Sequence, residues 1–461
     1  MAIFRRGGPE YTQKQVYRRV FIAPRGFRID SDIKPSWSRG ISSESVIVNA
    51  FTLLFITFLF LWAGTSFWLS KRQERHVAAH RQTVPPEFAT RVSAEEHRKA
   101  AGYTNAKVRF GRVELVLSLL LLLVWTLGGA LDAIDRFWAG LALPAIVTGA
   151  AVIASVAFIS SLVDLPAALY RTFVIEERFG FNRSNAATFW MDRLKGILVV
   201  TLIGLPLLSI LLWFMETAGR YWWLYAWAAF ALFSVVLNQA YPRVIAPLFN
   251  SFEPLEKGEV ADRLQALLER TGFRSDGIYV MDGSRRSSHG NAYFTGLGKT
   301  KRVVFFDTLL KQLTPAQVEA VLAHELGHFK RRHILKGMVL SLAMSFAGFA
   351  LLAWLMQQGW FYTGLGVSEP SGYMALLLFV LVAPVFTFFI GPLMAWYSRR
   401  HEFEADAFAA GQASAESLAS ALVNLYRKNA STLTPDPLYS AFYDSHPPAS
   451  IRITRLGSSA S

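Results

Sequence analysis

The chain has 461 residues, of which 52% are hydrophobic, and its 47 Lys and Arg residues outnumber 33 Asp and Glu residues to give a net charge of +14. It contains no cysteine, which excludes disulfides, thiolate metal sites and cysteine nucleophiles. No nucleic-acid-binding motif accompanies the positive charge. We therefore interpret the charge as the basic loops of a membrane protein, and we expect no nucleic-acid partner.

The first 45 residues are basic and do not begin with the apolar core of a signal peptide. We expect residues 1–45 to be an N-terminal basic extension without a cleaved targeting segment.

Seven apolar stretches follow, each long enough to cross a bilayer, since a helix of about 20 residues spans roughly 30 Å of hydrocarbon. They lie at 46–69, 113–131, 139–163, 197–215, 221–241, 338–358 and 373–397. Trp and Tyr residues near several of their ends are typical of the membrane interface. The sequence therefore predicts an all-α polytopic membrane protein with about seven transmembrane helices.

Basic residues are concentrated on one side of this predicted membrane region. The loop 70–112 is rich in Lys and Arg, whereas the short loops on the opposite side contain almost none. The positive-inside rule then predicts that four segments are cytoplasmic, namely 70–112, 164–196, 242–337 and the tail after 397. The N-terminal extension falls on the outer side despite its charge, which conflicts with the orientation of the first span.

The predicted organisation has five parts. They are the extension 1–45, a five-helix transmembrane region 46–241, a soluble cytoplasmic domain 242–337, two further transmembrane helices in 338–397 and a C-terminal cytoplasmic segment 398–461.

Within the soluble domain, the apolar periodicity predicts an amphipathic helix over 255–272. Short strands are predicted at 277–281, 289–295 and 301–306. Thr314 followed by Pro315 predicts an N-cap and first turn of a helix that runs on into the sixth span.

This last helix contains the pentapeptide His324-Glu325-Leu326-Gly327-His328. Residues four apart lie on one face of a helix, so the two imidazoles can bind one Zn²⁺ together. Glu325 can reach the open position beside the ion and act as general base towards a water molecule. The alternative is a chance occurrence on an ordinary helix surface, which the helical and membrane-proximal context disfavours.

A catalytic zinc ion needs a third protein ligand. The best candidate is Glu402, which follows the seventh span in the segment Glu402-Phe403-Glu404-Ala405-Asp406. Asp406 lies one helical turn further on the same face. It either hydrogen-bonds a ligand imidazole or shuttles a proton, and the sequence leaves both roles open.

Four other histidines, His76, His80, His97 and His333, are predicted to be surface residues. His76 and His80 are also spaced by four, but no carboxylate follows His76 and arginines surround the pair. His97 and His333 are interpreted in the same way. His401 and Glu404 are expected to point away from the metal if Glu402 points towards it.

The two metal motifs resemble those of the CAAX prenyl protease 1 family of integral-membrane zinc metalloproteases. Three further segments are similar to family motifs. They are YRTFVIEERFGF at 170–181, SRRSSHGNAYF at 284–294, and His446-Pro447-Pro448 with Arg452.

The resemblance implies a barrel of seven helices around a chamber, with a small α+β zinc-protease domain on the cytoplasmic side. It implies that Asn291 lies on an edge strand to which a peptide substrate adds by main-chain hydrogen bonds. It also implies that His446 and Arg452 face the zinc ion. His446 would then donate a hydrogen bond to the developing oxyanion, and Arg452 would hold the substrate backbone or orient Glu402.

We therefore predict a monomeric zinc metalloendopeptidase with one Zn²⁺ per chain, embedded in the lipid bilayer with its active site facing the cytoplasm. Its substrates are peptides or proteins, and candidates include CAAX-like C-termini, lipidated peptides and other membrane-delivered peptides.

Three alternatives differ in testable features. A heat-shock-inducible quality-control protease would have fewer spans, and an intramembrane-cleaving protease would have the pentapeptide inside a span. Here Lys330, Arg331 and Arg332 follow it at once. A lipid or peptide carrier with a structural zinc ion would close the site with a fourth protein ligand.

Overall fold

The computed structural model describes residues 48–295 and 302–458. The predicted N-terminal extension lies outside these residues. Six of the described helices are long and apolar enough to cross a membrane, or seven if a bent pair is counted as one span.

The first group of helices comprises the following elements: α1 (Ala50–His80), α2 (Ala94–Trp125), α3 (Ala130–Ala139), α4 (Ala145–Tyr170), α5 (Ala186–Thr217), α6 (Trp222–Ala240) and the short α7 (Ala246–Phe249). A π-helical turn, Arg171–Glu176, continues α4. The later membrane helices are α11 (His333–Leu355) and α13 (Gly372–Thr387), with the short α12 (Gly359–Thr363) between them, and α13 leads into α14 (Gly391–Gln412). The predicted fold class is confirmed.

The predicted span 113–131 is wrong as a single helix. The structure ends α2 at Trp125 and begins α3 at Ala130, with a bend of 49° between them. Gly129 has a φ of 72°, a left-handed conformation that glycine adopts without steric cost and that ends a helix. A Cβ at Gly128 would also lie 2.8 Å from the backbone of Val124, so this turn depends on the glycine pair.

The outer faces of the membrane helices are apolar. Leu202 is 73% exposed, Phe60 72% and Leu232 67%, and many further large hydrophobic side chains on these helices are exposed. Exposed apolar surface of this extent marks contact with something other than water. Helices satisfy their own backbone hydrogen bonds, which makes such faces compatible with lipid.

A four-stranded sheet lies in the soluble domain, in the order β1-β2-β4-β3. Its strands are β1 (Phe252–Pro254), β2 (Ile278–Met281), β3 (Ala292–Thr295) and β4 (Arg302–Phe306). β2 and β4 are parallel, whereas the two outer strands pair antiparallel with their neighbours. The three predicted strands are present with adjusted ends. β1 is not predicted, since three residues containing Pro254 carry no alternation to detect.

Helices α8 (Glu259–Arg270), α9 (Asp307–Gln312) and α10 (Pro315–Lys330) pack beside this sheet. The predicted cap of α10 is confirmed: Gln317 N donates to Thr314 Oγ1 at 3.4 Å, and Thr314 N donates to Gln317 Oε1 at 3.1 Å. The predicted continuation into the next span is wrong. α10 ends at Lys330, Arg332 has a φ of 57°, and α11 begins at His333.

The C-terminal segment adds α15 (Ala415–Lys428), α16 (Pro437–Tyr443) and α17 (Ala449–Ser458). Buried apolar residues of α8, β4, α10, α15 and α17 form one core for the soluble part. A separate apolar cluster joins the membrane helices and includes Phe55, Trp125, Phe361 and Leu378.

The contact between α10 and α14 is unusually close because Gly327 faces Ala405. A Cβ on Gly327 would lie 2.8 Å from Ala405 Cα and 2.9 Å from Ala405 O. These atoms are backbone and cannot move away as the end of a flexible side chain can. The glycine therefore sets the distance between the two helices that carry the predicted metal ligands.

We predict that Gly327→Ala lowers the thermal stability of the full chain, because forcing a methyl group into a packed contact costs about 1–3 kcal/mol. The matched control is Gly411→Ala on α14, where an added Cβ meets nothing within 4 Å. Alanine should be neutral or stabilising there, by up to about 1 kcal/mol. Melting curves in detergent measure both, and equal stability of the two variants would contradict the account of the contact.

Candidate metal centre and cleft

Three predicted ligands converge at the crossing of α10 and α14. His324 Nε2 and His328 Nε2 are 3.2 Å apart, and Glu402 approaches them at 3.4 and 3.2 Å through its two oxygens. Ligand atoms about 2.05 Å from a tetrahedral zinc ion lie roughly 3.3 Å from one another. The spacing of the cluster therefore fits a single ion of that size.

The chemistry of the cluster also fits a cation. Oε2 of Glu402 is buried and makes no hydrogen bond within the described part of the chain, although His324 Nε2 and Arg452 Nη1 lie 3.4 and 3.5 Å away. A buried carboxylate oxygen without a hydrogen bond is costly unless something else binds it. Two imidazole nitrogens and a carboxylate oxygen are the donors that zinc prefers in catalytic sites.

Asp406 lies behind His324, on the side away from this cluster. Its Oδ1 is 2.8 Å from His324 Nδ1, and both of its oxygens accept hydrogen bonds from Arg452, at 2.8 Å from Nε and 2.6 Å from Nη2. Burial lowers the pKa of His324, but the nearby carboxylates of Asp406 and Glu402 outweigh this effect and raise the pKa to about 9. The two carboxylates therefore favour positive charge on this ring.

Glu325 follows the first ligand and faces a cleft of about 300 Å³ beside the cluster. Burial raises the pKa of its carboxyl group, with smaller opposing effects from the two histidines. A carboxyl group with a raised pKa is closer to the range in which a general base works near neutral pH. The other walls of this cleft are mostly apolar and include Leu309, Val321, Leu418, Leu422 and Leu425.

His446 and Arg452 reach the cluster from the C-terminal segment. His446 Nε2 is 3.4 Å from Glu402 Oε1, and its side chain is 63% exposed to the space in front of the cluster. The ring lines both the cleft and a larger cavity of about 760 Å³ between α1, α2 and the C-terminal helices. Arg452, by contrast, is only 5% exposed.

Asn291 lies at the entrance to the edge strand β3 and lines the same cleft. Its carbonyl accepts a hydrogen bond from Phe306 N at 2.9 Å, so the segment is paired with β4 on one side only. The outer side of β3 has no partner strand in the described sheet. The resemblance implied Asn291 within the strand, whereas the strand itself begins at Ala292.

The loop before β3 is held from two directions. Asn429 makes two hydrogen bonds to the backbone of Gly290. Its Oδ1 accepts from Gly290 N at 2.9 Å, and its Nδ2 donates to Gly290 O at 3.2 Å. On the other side, the ring of His289 stacks on Phe181 at 4.2 Å and lies 3.6 Å from Glu176. The segment 170–181 therefore anchors the loop that leads into the edge strand.

The structure also corrects the interpretation of two histidines. His97 is 1% exposed and His333 is 5% exposed, so neither is a surface residue. His333 contacts the predicted ligand His328 directly, with 3.1 Å between the two Nδ1 atoms. Asn429, His333 and Glu404 are thus residues that the sequence analysis did not connect with the site.

The chain is similar to known proteins over most of its length. The family pattern described as CAAX prenyl protease N-terminal, five membrane helices, matches residues 73–251, and that of peptidase family M48 matches residues 254–460. The chain is 33% identical to a CAAX prenyl protease 1 homolog of Oryza sativa subsp. japonica, over 87% of this chain and 96% of that protein. It is 32% identical to a CAAX prenyl protease 1 homolog of Homo sapiens, over 88% and 94%.

One solved structure is similar to this chain over nearly the whole length of the solved chain. The crystal structure of S. mikatae Ste24p superposes with a TM-score of 0.82 at 31% sequence identity, covering 89% of this chain and 99% of that one.

We predict that Arg452→Met destabilises the chain by about 3–5 kcal/mol, because it leaves the buried Asp406 carboxylate without its charged partner. Arg452→Lys should lose less, since it keeps the charge but not the two-pronged contact. The matched control is Arg263→Met, which removes an exposed arginine that also contacts two carboxylates, Glu259 and Glu319. Exposed ion pairs contribute little to stability, so Arg263→Met should unfold near the wild-type temperature. If Arg263→Met were as unstable as Arg452→Met in thermal unfolding, the role given to the buried Arg452–Asp406 pair would be contradicted.

Proposed function

The chain belongs to peptidase family M48 and is a membrane metalloprotease of the CAAX prenyl protease type, and from this premise we propose that it is a zinc endopeptidase whose general base is Glu325. In this proposal His324, His328 and Glu402 hold one Zn²⁺ per chain. Two observations carry it: the ligand atoms of these three residues lie within 4.8 Å of one another, and the buried Glu402 Oε2 makes no hydrogen bond within the described residues.

When bound, a zinc ion supplies Lewis acidity, which makes water nucleophilic near neutral pH and polarises a carbonyl group. The carboxylate of Glu325 takes a proton from the attacking water and gives it to the leaving nitrogen of the cleaved peptide bond. Its place in the cleft next to His324, and its burial, support this role. His446 donates a hydrogen bond from Nε2 to the developing oxyanion, and its exposure towards the cavity supports that role.

Asp406 and Arg452 are proposed to orient the metal ligands. Both oxygens of Asp406 are already occupied by Arg452, and Oδ1 also contacts His324 Nδ1. This favours the orienting role over proton transfer, the two roles that the sequence left open. Arg452 is buried and its third nitrogen faces Glu402, which favours orientation of that glutamate over contact with substrate.

The substrate is a peptide. We propose that it adds to the unpaired side of β3 near Asn291 through main-chain hydrogen bonds, with one side chain entering the apolar cleft. Main-chain pairing tolerates many sequences, while the cleft selects an aliphatic side chain next to the cleaved bond. The adjoining cavity of about 760 Å³ has a volume in the range of ligand-binding sites, and lipidated or other membrane-delivered C-termini are the substrates we propose.

The active site is proposed to face the cytoplasm. Lys330, Arg331 and Arg332 lie at the end of α10 where it meets α11, and α10 itself is not among the candidate spans. The basic side of a membrane protein is the cytoplasmic side. All groups of the site come from one chain, so a monomer suffices.

The remaining alternatives lack support in the site. The number of membrane helices and the approach of Arg452 to Glu402 favour the CAAX type over a heat-shock-inducible protease with fewer spans. A carrier with a structural zinc ion would need a fourth ligand. Within the described residues, the metal-ligating group consists of His324, His328 and Glu402 alone.

We predict that Glu325→Gln abolishes peptide hydrolysis, lowering kcat by about 100-fold or more, while zinc content stays at one per chain, because the amide cannot accept the proton. The control is Glu319→Gln on the same helix, outside the cleft, which should hydrolyse peptides normally. Zinc analysis and a peptidase assay are run on the same preparations. Full hydrolysis by Glu325→Gln would sink the proposed role of this residue.

We also predict that Leu425→Ala enlarges the apolar cleft and shifts side-chain preference from leucine towards phenylalanine. The ratio of kcat/KM for Phe over Leu peptides should rise about tenfold or more, as one to two methylene groups in such a pocket are worth that much. Leu310→Ala is the control, since Leu310 packs on the same core but does not line the cleft. Peptides varied on each side of the cleaved bond identify the position, and an unchanged ratio at both positions argues against the cleft as a specificity pocket.

A further inference from the structure

The break between α10 and α11 returns the chain towards the metal cluster. Arg332 takes a left-handed conformation, with a φ of 57°, and α11 starts at the next residue. The ring of His333 then lies against that of His328, with centroids 5.1 Å apart and planes at 74°. A continuous helix would carry a residue five positions on to a different face, so this contact depends on the break.

His328 uses its two ring nitrogens in different directions. Nε2 points at His324 Nε2 and Glu402 Oε1, both at 3.2 Å, whereas Nδ1 points at His333 Nδ1 at 3.1 Å. The far nitrogen of His333, Nε2, is 3.1 Å from Glu404 Oε2. The contacts form a chain from a carboxylate through one imidazole to the ring that lies beside the metal position.

If both rings are neutral, only one arrangement of protons satisfies every contact in the series from Glu404 through His333 to His328. An ionised carboxylate only accepts hydrogen bonds, so His333 Nε2 must carry a proton and donate to Glu404. His333 Nδ1 then has a lone pair and accepts from His328 Nδ1. His328 Nε2 is consequently left with a free lone pair, which is the tautomer that binds a metal.

Two features hold His333 in this position. It is 5% exposed, and the ring of His401 stacks on it at 3.9 Å with an interplanar angle of 9°. His328 therefore contacts a partner, His333, that is hydrogen-bonded to the carboxylate of Glu404. His324 contacts the carboxylate of Asp406 directly. Histidines that bind metals commonly donate their other N–H in this way, and loss of such a partner weakens metal affinity.

We propose that His333, held by Glu404, is a positioning residue that fixes the tautomer and orientation of His328 for zinc binding. This inference rests on the proposed zinc site. Its test leaves the three proposed metal ligands in place. The expected effect is on metal affinity, which is measured separately from peptide hydrolysis.

The test is zinc affinity of the purified full chain, measured by competition with a chelator. His333→Ala should weaken zinc binding about 10–100-fold. His333→Asn places an amide oxygen near the former Nδ1 and should recover most of the loss. Glu404→Ala, at a half-exposed position, should weaken binding less than His333→Ala, and Glu404→Gln should preserve it because the amide oxygen still accepts from His333 Nε2.

The matched control is His97→Ala, which removes another buried histidine whose Nε2 bonds only the backbone oxygen of His80. It should leave zinc affinity unchanged even if it lowers the melting temperature of the metal-free chain. The visible spectrum of the cobalt-substituted protein gives a second readout, which should shift in His333→Ala and not in His97→Ala.

Wild-type zinc affinity in both His333→Ala and Glu404→Ala would overturn the inference, as would a loss of affinity in His97→Ala equal to that in His333→Ala. The wild-type chain separates this result from the proposed function. If it binds no zinc, the proposed function fails and the inference with it; if it binds one zinc and the variants match it, only the inference fails.

Discussion

The close contact of Gly327 with Ala405 is the constraint on which the site depends. Gly327 lies between the two proposed ligand histidines of α10, and Ala405 lies between Glu402 and Asp406 on α14. The absence of a side chain at Gly327 lets the helix backbones approach until the ligand nitrogens and a carboxylate oxygen are 3.2–3.4 Å apart. The contact between Gly327 and Ala405 therefore brings together two helical motifs that are more than seventy positions apart in the sequence.

Each ligand imidazole is supported from behind by a group that accepts its second N–H. Asp406, itself held by hydrogen bonds from Arg452, supports His324, and in our proposal His333 supports His328. Rings that are fixed in this way lose little freedom when an ion binds, and they present the correct nitrogen in advance. The same elements shape the cleft, because Glu325 and His324 of α10 line it together with Ala292 of the edge strand β3.

The sequence predicted those features that repeat with a period or carry a chemical motif. The apolar stretches, the Thr314 cap and the His-Glu-x-x-His spacing each specify a local structure, and the match of Glu402 to the histidines followed from the need for a third ligand. The bend at Gly128-Gly129 and the break at Arg332 were missed because both interrupt patterns that read as continuous apolar or helical sequence. A left-handed arginine has no signature in a single sequence.

Contacts between residues that are far apart in the sequence could not be predicted from these local patterns. Asn429 meets Gly290 across 139 positions, and Glu404 meets His333 across 71. The sequence predicts a surface position for His333 because basic residues surround it. It is buried because the helix breaks at the preceding residue and its ring packs against His328 and His401, which only the tertiary structure reveals.

Zinc K-edge X-ray absorption on the purified chain tests the central claim most directly. The account predicts one zinc ion per chain with two imidazole ligands and one carboxylate ligand, nitrogen and oxygen neighbours at about 2.0–2.2 Å, and no fourth protein ligand. A spectrum without two imidazoles, or one that shows a closed site of four protein ligands, would contradict it.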